Sequence, residues 1–179
     1  MKPLLKITAI VCCLAACATA KTPELKVAKS QQKAVKAQQK TAEKQRKSAQ
    51  ILDSLHNRTY TIAFDYVIPR KMQPRFLTSD YSVRVHGDSI DSSLPYFGVA
   101  YRADPENRNR SPLDFKSAIS SYETDQVKKN KMRVKLKTRN KMDFLSYYLD
   151  IFTNGSVTLN VIATDRESVS FTGNLILND

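Results

Sequence analysis

The sequence has no tryptophan, two histidines, four glycines and three cysteines. Each scarcity excludes a kind of chemistry. His56 and His86 show no H-x-x-x-H spacing, so a histidine-rich metal site is not encoded. Gly87, Gly98, Gly155 and Gly173 form no phosphate-cradling loop. No G-x-S-x-G elbow presents a serine nucleophile. Cys12, Cys13 and Cys17 all lie near the N-terminus, so the rest of the chain has no disulfide, thiolate ligand or cysteine nucleophile. The scattered Asp and Glu residues single out no general acid and base by spacing. These absences point away from an enzyme and imply no cofactor. Glycine and proline are too few for a low-complexity chain, and 41% hydrophobic residues suffice for a core.

What is present begins with "MKPLLKITAIVCCLAACATAK". Basic Lys2 and Lys6 precede an apolar run from Ile7 to Ala16 that is too short to span a bilayer, which takes roughly 20 residues. This is the layout of a signal peptide. Leu14-Ala15-Ala16-Cys17 resembles the bacterial lipobox, which places a lipoprotein-type signal peptide over residues 1–17 and lipidation on Cys17. Ala18-Thr19-Ala20 offers an alternative cleavage after residue 20. The first reading puts the protein on the periplasmic face of the cell envelope, anchored to a membrane through lipid rather than spanning it. The second leaves it free in the periplasm.

The formal net charge of +12 falls to +10 once Lys2 and Lys6 are gone. Nine of the remaining Lys and Arg lie between residues 21 and 50, against Glu24 and Glu43 alone. Basicity therefore belongs to an arm, read here as residues 18–55. Its pattern, "AKSQQKAVKAQQKTAEKQRKSAQIL", repeats every seven residues without Gly or Pro and predicts a helix from about Pro23 to Leu55. An Ala and Gln seam makes either a solvated stalk or a weak coiled coil. Only Ile51, Leu52 and Leu55 have the apolar spacing to dock on a domain. Basic charge beside a membrane attracts anionic headgroups. Nucleic acid fits poorly, because the arm has no aromatics and the signal exports the chain.

Residues 56–179 change to a period of two. Tyr60, Ile62, Phe64, Tyr66 and Ile68 alternate onto one face, as do Tyr81, Val83 and Val85. "MDFLSYYLDIFT" is apolar on both faces and reads as a central strand, and "SVTLNVIAT" and "VSFTGNLIL" complete the set. Asn154-Gly155 predicts a type I′ hairpin turn, and Gly87 and Lys129-Asn130 mark other turns. No segment has the length and period of a βαβ crossover. The expectation is therefore an α+β chain: a helical arm followed by a mainly antiparallel sheet domain. "LTSDYSVRVHGDSIDSSLPYFGVAY" crowds Ser79, Asp80, His86, Asp88, Ser89 and Ser92 together, but reads as a hairpin with His86 at its rim rather than as a hydrolytic triad. "KMRVKLKTR" projects Lys131, Arg133, Lys135, Lys137 and Arg139 from one face. Either Glu123, Asp125 or Asp143 neutralises this stripe from neighbouring strands, or it meets an anionic partner.

"LTSDYSVRVHGDSIDSSLPYFGVAY", "VKKNKMRVKLKT", "IFTNGSVTLNV" and "SVSFTGNLI" together resemble the DUF4251 family of exported Bacteroidetes proteins, over about Leu52 to Leu177. Thr153 stands where members of that family often have a proline before the Asn-Gly turn. The resemblance implies an envelope location and an α+β domain, and it carries no catalytic residues to transfer. The functional expectation is a cell-envelope lipoprotein acting as a non-enzymatic binding or scaffolding module. A periplasmic carrier or inhibitor-like domain, holding a small or lipidic ligand on a sheet face, is the alternative, and a hydrolase comes last. A protein partner or an anionic envelope component is a candidate partner beside the membrane.

Overall fold

A computed structural model describes residues 23–101, 111–141 and 143–177, with side chains from residue 31 onward. Cys17, both cleavage sites and most of the polar segment following Tyr101 lie outside the described residues. The chain divides into two units, residues 1–39 and 40–179. In the first, helix α1 (Pro23–His56) begins, and residues 31–39 are exposed throughout, as an Ala, Gln and Lys surface requires.

In the second unit α1 ends and eight strands follow: β1 (Thr59–Pro69), β2 (Arg75–His86), β3 (Ser89–Ser93), β4 (Asp114–Lys128), β5 (Lys131–Asn140), β6 (Asp143–Phe152), β7 (Ser156–Ala163) and β8 (Arg166–Ile176). Each pairs antiparallel with the next, and β1 pairs antiparallel with β8, so the sheet closes into an up-and-down barrel. The antiparallel expectation holds; the sheet is a closed barrel rather than an open sheet.

The inward positions are apolar and fully packed. Ile62, Val67, Val83, Val85, Val134, Tyr147, Leu149, Leu159 and Phe171 are 0% exposed. Eight strands enclose a space that side chains can just fill. Inside, the Ser92 hydroxyl lies 2.8 Å from the Leu113 carbonyl and 3.0 Å from the Tyr147 hydroxyl. Burial pushes the Tyr147 phenol well above its ordinary value, against the opposing effect of its hydrogen bond with Ser92. The outward positions of β7 and β8 are mostly polar, Thr158, Asn160, Ser170, Thr172 and Asn174 among them, with Ile162 and Ile176 exposed near the strand ends. Apolar inside and polar outside is the inverse of a transmembrane barrel. Among the described residues no helix is long and apolar enough to cross a membrane.

The last turns of α1 join this core. Ile51 and Leu55 are buried, while Leu52 is partly exposed. The Tyr122 hydroxyl donates to the Leu55 carbonyl at 3.1 Å and lies 3.3 Å from the Tyr60 hydroxyl, which can donate to it. Burial raises both phenols, so the pair stays neutral and hydrogen-bonded. The helix ends at His56, and Arg58 in the turn beyond it has a positive φ of 50°, the left-handed conformation usual after a helix C-terminus.

Three sequence expectations need correction. The single inward face proposed for Tyr60 through Ile68 breaks at Asp65, where β1 shifts register against both neighbours. Val67 therefore turns inward, and Ile68 is exposed. Segment β6 lies between β5 and β7 but is buried on one face only: Leu145, Tyr147, Leu149 and Ile151 face in, while Phe144 is exposed. The Asn154-Gly155 turn is not type I′. Only Gly155 has positive φ, and its N–H donates to the Phe152 carbonyl, a turn followed by a left-handed glycine.

Candidate functional site

The β5 stripe lies outward as its alternation requires, with Val134, Leu136 and Thr138 buried opposite. Its first three cations have acidic partners. Lys131 lies 2.6 Å from Asp150, and Arg133 grips both Asp150 oxygens at 2.7 and 3.0 Å. Lys135 lies 3.0 Å from Asp125 and 3.9 Å from Glu123. Partial burial alone would raise the Asp150 carboxyl, but hydrogen bonds from Arg133 and Lys131 outweigh it and hold it below the ordinary range. Asp125 in turn raises the Lys135 ammonium. Asp143, named from sequence as a partner for the stripe, pairs instead with Arg166 at 2.9 Å. Arg139 lies over the Phe144 ring and donates to the Lys141 carbonyl. Lys137 has no acidic partner among the described residues, and Asp150 was the missed neutralising residue. In sequence, Asp150 is one acid within an apolar run, and only the β5–β6 register sets it opposite Arg133.

The hairpin residues do not converge on a catalytic arrangement. Ser92 is inside the barrel, Asp88 pairs with Arg58 at 2.6 Å, and the Ser89 hydroxyl donates to the backbone of His86 rather than to its ring. Outside the short strand β3, Arg84, His86, Asp91 and Lys116 border an open depression of about 450 Å³. Lys116 lies 3.0 Å from Asp91, so its principal charges already satisfy each other. Among the described residues no group of His, Cys, Asp and Glu is placed to hold a metal ion.

The most elaborated region is the barrel end formed by the β1–β2 turn, the segment after β3 and the β7–β8 turn. Glu167 points inward at the start of β8 with its side chain only 3% exposed. It accepts from Lys71 at 2.7 Å and from the Val99 N–H at 3.4 Å. The Lys71 hydrogen bond holds its carboxyl below the ordinary glutamate range, against desolvation. The Tyr96 hydroxyl lies 3.1 Å from the carbonyls of both Val99 and Glu167. The Glu167 N–H reaches the Val99 carbonyl, and the Tyr101 N–H reaches that of Asp165. Residues 96–101 are thus strapped to β8. A Cβ on Gly98 would sit 2.7 Å from the Tyr96 oxygen, which explains a glycine there. An ionised carboxylate locked to a lysine, with no second acid beside it among the described residues, fastens a loop better than it transfers a proton.

The same end carries exposed apolar side chains. Phe76 is 79% exposed and Tyr101 66%, with Met72 and Val99 also exposed. Arg70, Lys71 and Arg75 lie among them, and no acid occurs from Pro69 to Phe76. Arg75 covers the Phe97 ring at 4.9 Å, and Phe76 packs edge-on to Tyr66 at 4.8 Å. Sequence reading missed this site because Lys71, Val99 and Glu167 are brought together only by barrel closure. The run "RKMQPRF" was its one local signal.

A family model described as "Domain of unknown function (DUF4251)" matches residues 42–175. Among solved structures, the crystal structure of a DUF4251 family protein from Bacteroides eggerthii DSM 20697 is similar in fold. It has a TM-score of 0.55 and 13% identity, over 73% of this chain and 87% of that one. No curated protein matches the sequence.

Proposed function

The chain belongs to the DUF4251 family, and from that premise we propose that it is an exported, non-enzymatic binding or scaffolding module of the cell envelope, held to a membrane by lipid on Cys17. The observation that carries the binding part is the filled barrel. Its innermost side chains are 0% exposed, and no buried side-chain nitrogen or oxygen among the described residues lacks a partner. A carrier of this architecture needs an interior void. Here the interior serves as a rigid support, and recognition falls to the outside, foremost to the strapped barrel end. The signal-like N-terminus and its Leu14-Ala15-Ala16-Cys17 sequence support the envelope part.

Two measurements test this reading. Titration with a fluorescent long-chain fatty acid is expected to give no saturable signal; stoichiometric uptake would restore the carrier reading. Mass spectrometry of the mature N-terminus is expected to find acylated Cys17. An unmodified chain beginning at Lys21 would remove the anchor and leave the binding role to be judged by itself.

A further inference from the structure

We infer that the strapped barrel end docks on an anionic lipid surface, with Phe76, Met72 and Tyr101 entering the interface and Arg70 and Arg75 meeting headgroup phosphates. The inference rests on the outer-surface binding reading and adds its partner; it does not depend on Cys17 being acylated.

Three observations combine. First, the exposed apolar residues sit on the β1–β2 turn (Met72), at the first turn-proximal positions of β2 (Phe76) and on the strap (Val99, Tyr101), rather than in a concave groove. Phe76, 79% exposed, cannot be explained by the core, because its one ring contact is the edge of Tyr66. Second, the apolar positions alternate with cations and with no acid between Pro69 and Phe76, the combination that suits an anionic interface. A two-fold pairing of this face with its copy would set Arg70 and Arg75 against themselves. Third, the turn and the strap are fixed to each other: Lys71 and the Val99 N–H share Glu167, and Arg75 covers Phe97. The protruding residues are therefore presented together, so insertion does not require ordering a flexible loop. Lys71 is neutralised locally by Glu167, which leaves Arg70 and Arg75 as the cations available to phosphate.

The absence of tryptophan makes a local test available. The full chain is prepared as a Cys17→Ser, Phe76→Trp variant, which carries no acyl group and a single indole. Vesicles of phosphatidylglycerol and phosphatidylethanolamine are expected to shift its emission to the blue, while phosphatidylcholine vesicles at the same salt leave it unchanged. Adding Arg70→Gln and Arg75→Gln should weaken the shift-detected affinity about 25-fold, at about fivefold per cation near a charged surface. The paired Lys substitutions should retain it, with circular dichroism confirming the fold of each variant.

Co-sedimentation with vesicles and no blue shift would mean that only the basic arm touches lipid, and would overturn the inference. So would an equal shift with dextran sulfate, which identifies a soluble anionic polymer, or a shift that follows protein concentration without vesicles, which identifies self-association. Fatty-acid uptake into the barrel would instead defeat the underlying reading, whatever the vesicles show.

Discussion

Asp150 holds Lys131 and Arg133 at once, on the outer face of the barrel and about one-fifth exposed. Without it, two cations on one strand face each other about 6.6 Å apart across a two-residue repeat. Replacement by Asn is expected to lower stability at neutral pH by about 1–2 kcal/mol, the lower part of the range for charge-assisted hydrogen bonds because the site is partly solvated. The pH dependence has a definite sign. Asp150 and Glu167 both titrate lower in the folded chain than unfolded, so their stabilisation is complete above the unfolded values of about 4. It disappears as pH falls through the folded values. The Asn variant should therefore lose less stability than the parent between neutral and acid pH, and urea unfolding at pH 7 and pH 3 measures both effects. Equal acid sensitivity in the two proteins would show that Asp150 contributes nothing to the linkage.

Among the elements, the pairing of β1 with β8 depends on a missing side chain. A Cβ on Gly173 would lie 1.9 Å from the Ala63 carbonyl oxygen and 2.7 Å from the Phe64 Cα, both backbone atoms that cannot rotate away. The Gly173→Ala variant is expected to lose about 3 kcal/mol or more, with faster amide exchange in β1 and β8 than in β5 and β6. A melt within a degree or two of the parent would mean that the seam relaxes freely. How far such elements can be read from sequence differs strand by strand. Strand β5 alternates strictly over "KMRVKLKT", and its faces and ends are legible. Strand β4 escapes, because its inward series passes through Phe115, Ser117, Ile119, a bulge and Tyr122, so polar and apolar residues share a face and the period slips. The bulge at Asp65 misleads for the same reason: alternation assigns faces only while the register is unbroken. Helix α1 is legible from composition and period, and Ile51 and Leu55 are buried where their spacing placed a docking surface. The strapped end was not legible, since no local pattern links Lys71 and Val99 to Glu167.

For the molecule as a whole, closure disposes of both sheet edges, so neither β1 nor β8 presents unpaired backbone to another chain. That protects a barrel whose described strands hold no disulfide. It also imposes an order in time. Seven of the eight pairings join strands adjacent in sequence, and six of these form by local hairpin closure, β3 and β4 being joined by the longer segment from Leu94 to Leu113. The eighth sets Thr61 opposite Ile176, and must wait for nearly the whole chain. As the chain is made, β1 emerges first among the strands and is completed last. Until β8 arrives, its second edge and half of its core contacts have no counterpart. A chain ending at Asp165 leaves β1 and β7 each with one unpaired edge, and should show no cooperative transition in urea rather than a weakened one. The barrel is thus committed in a single late event, and a growing or threaded chain stays pliable until its final strand is available.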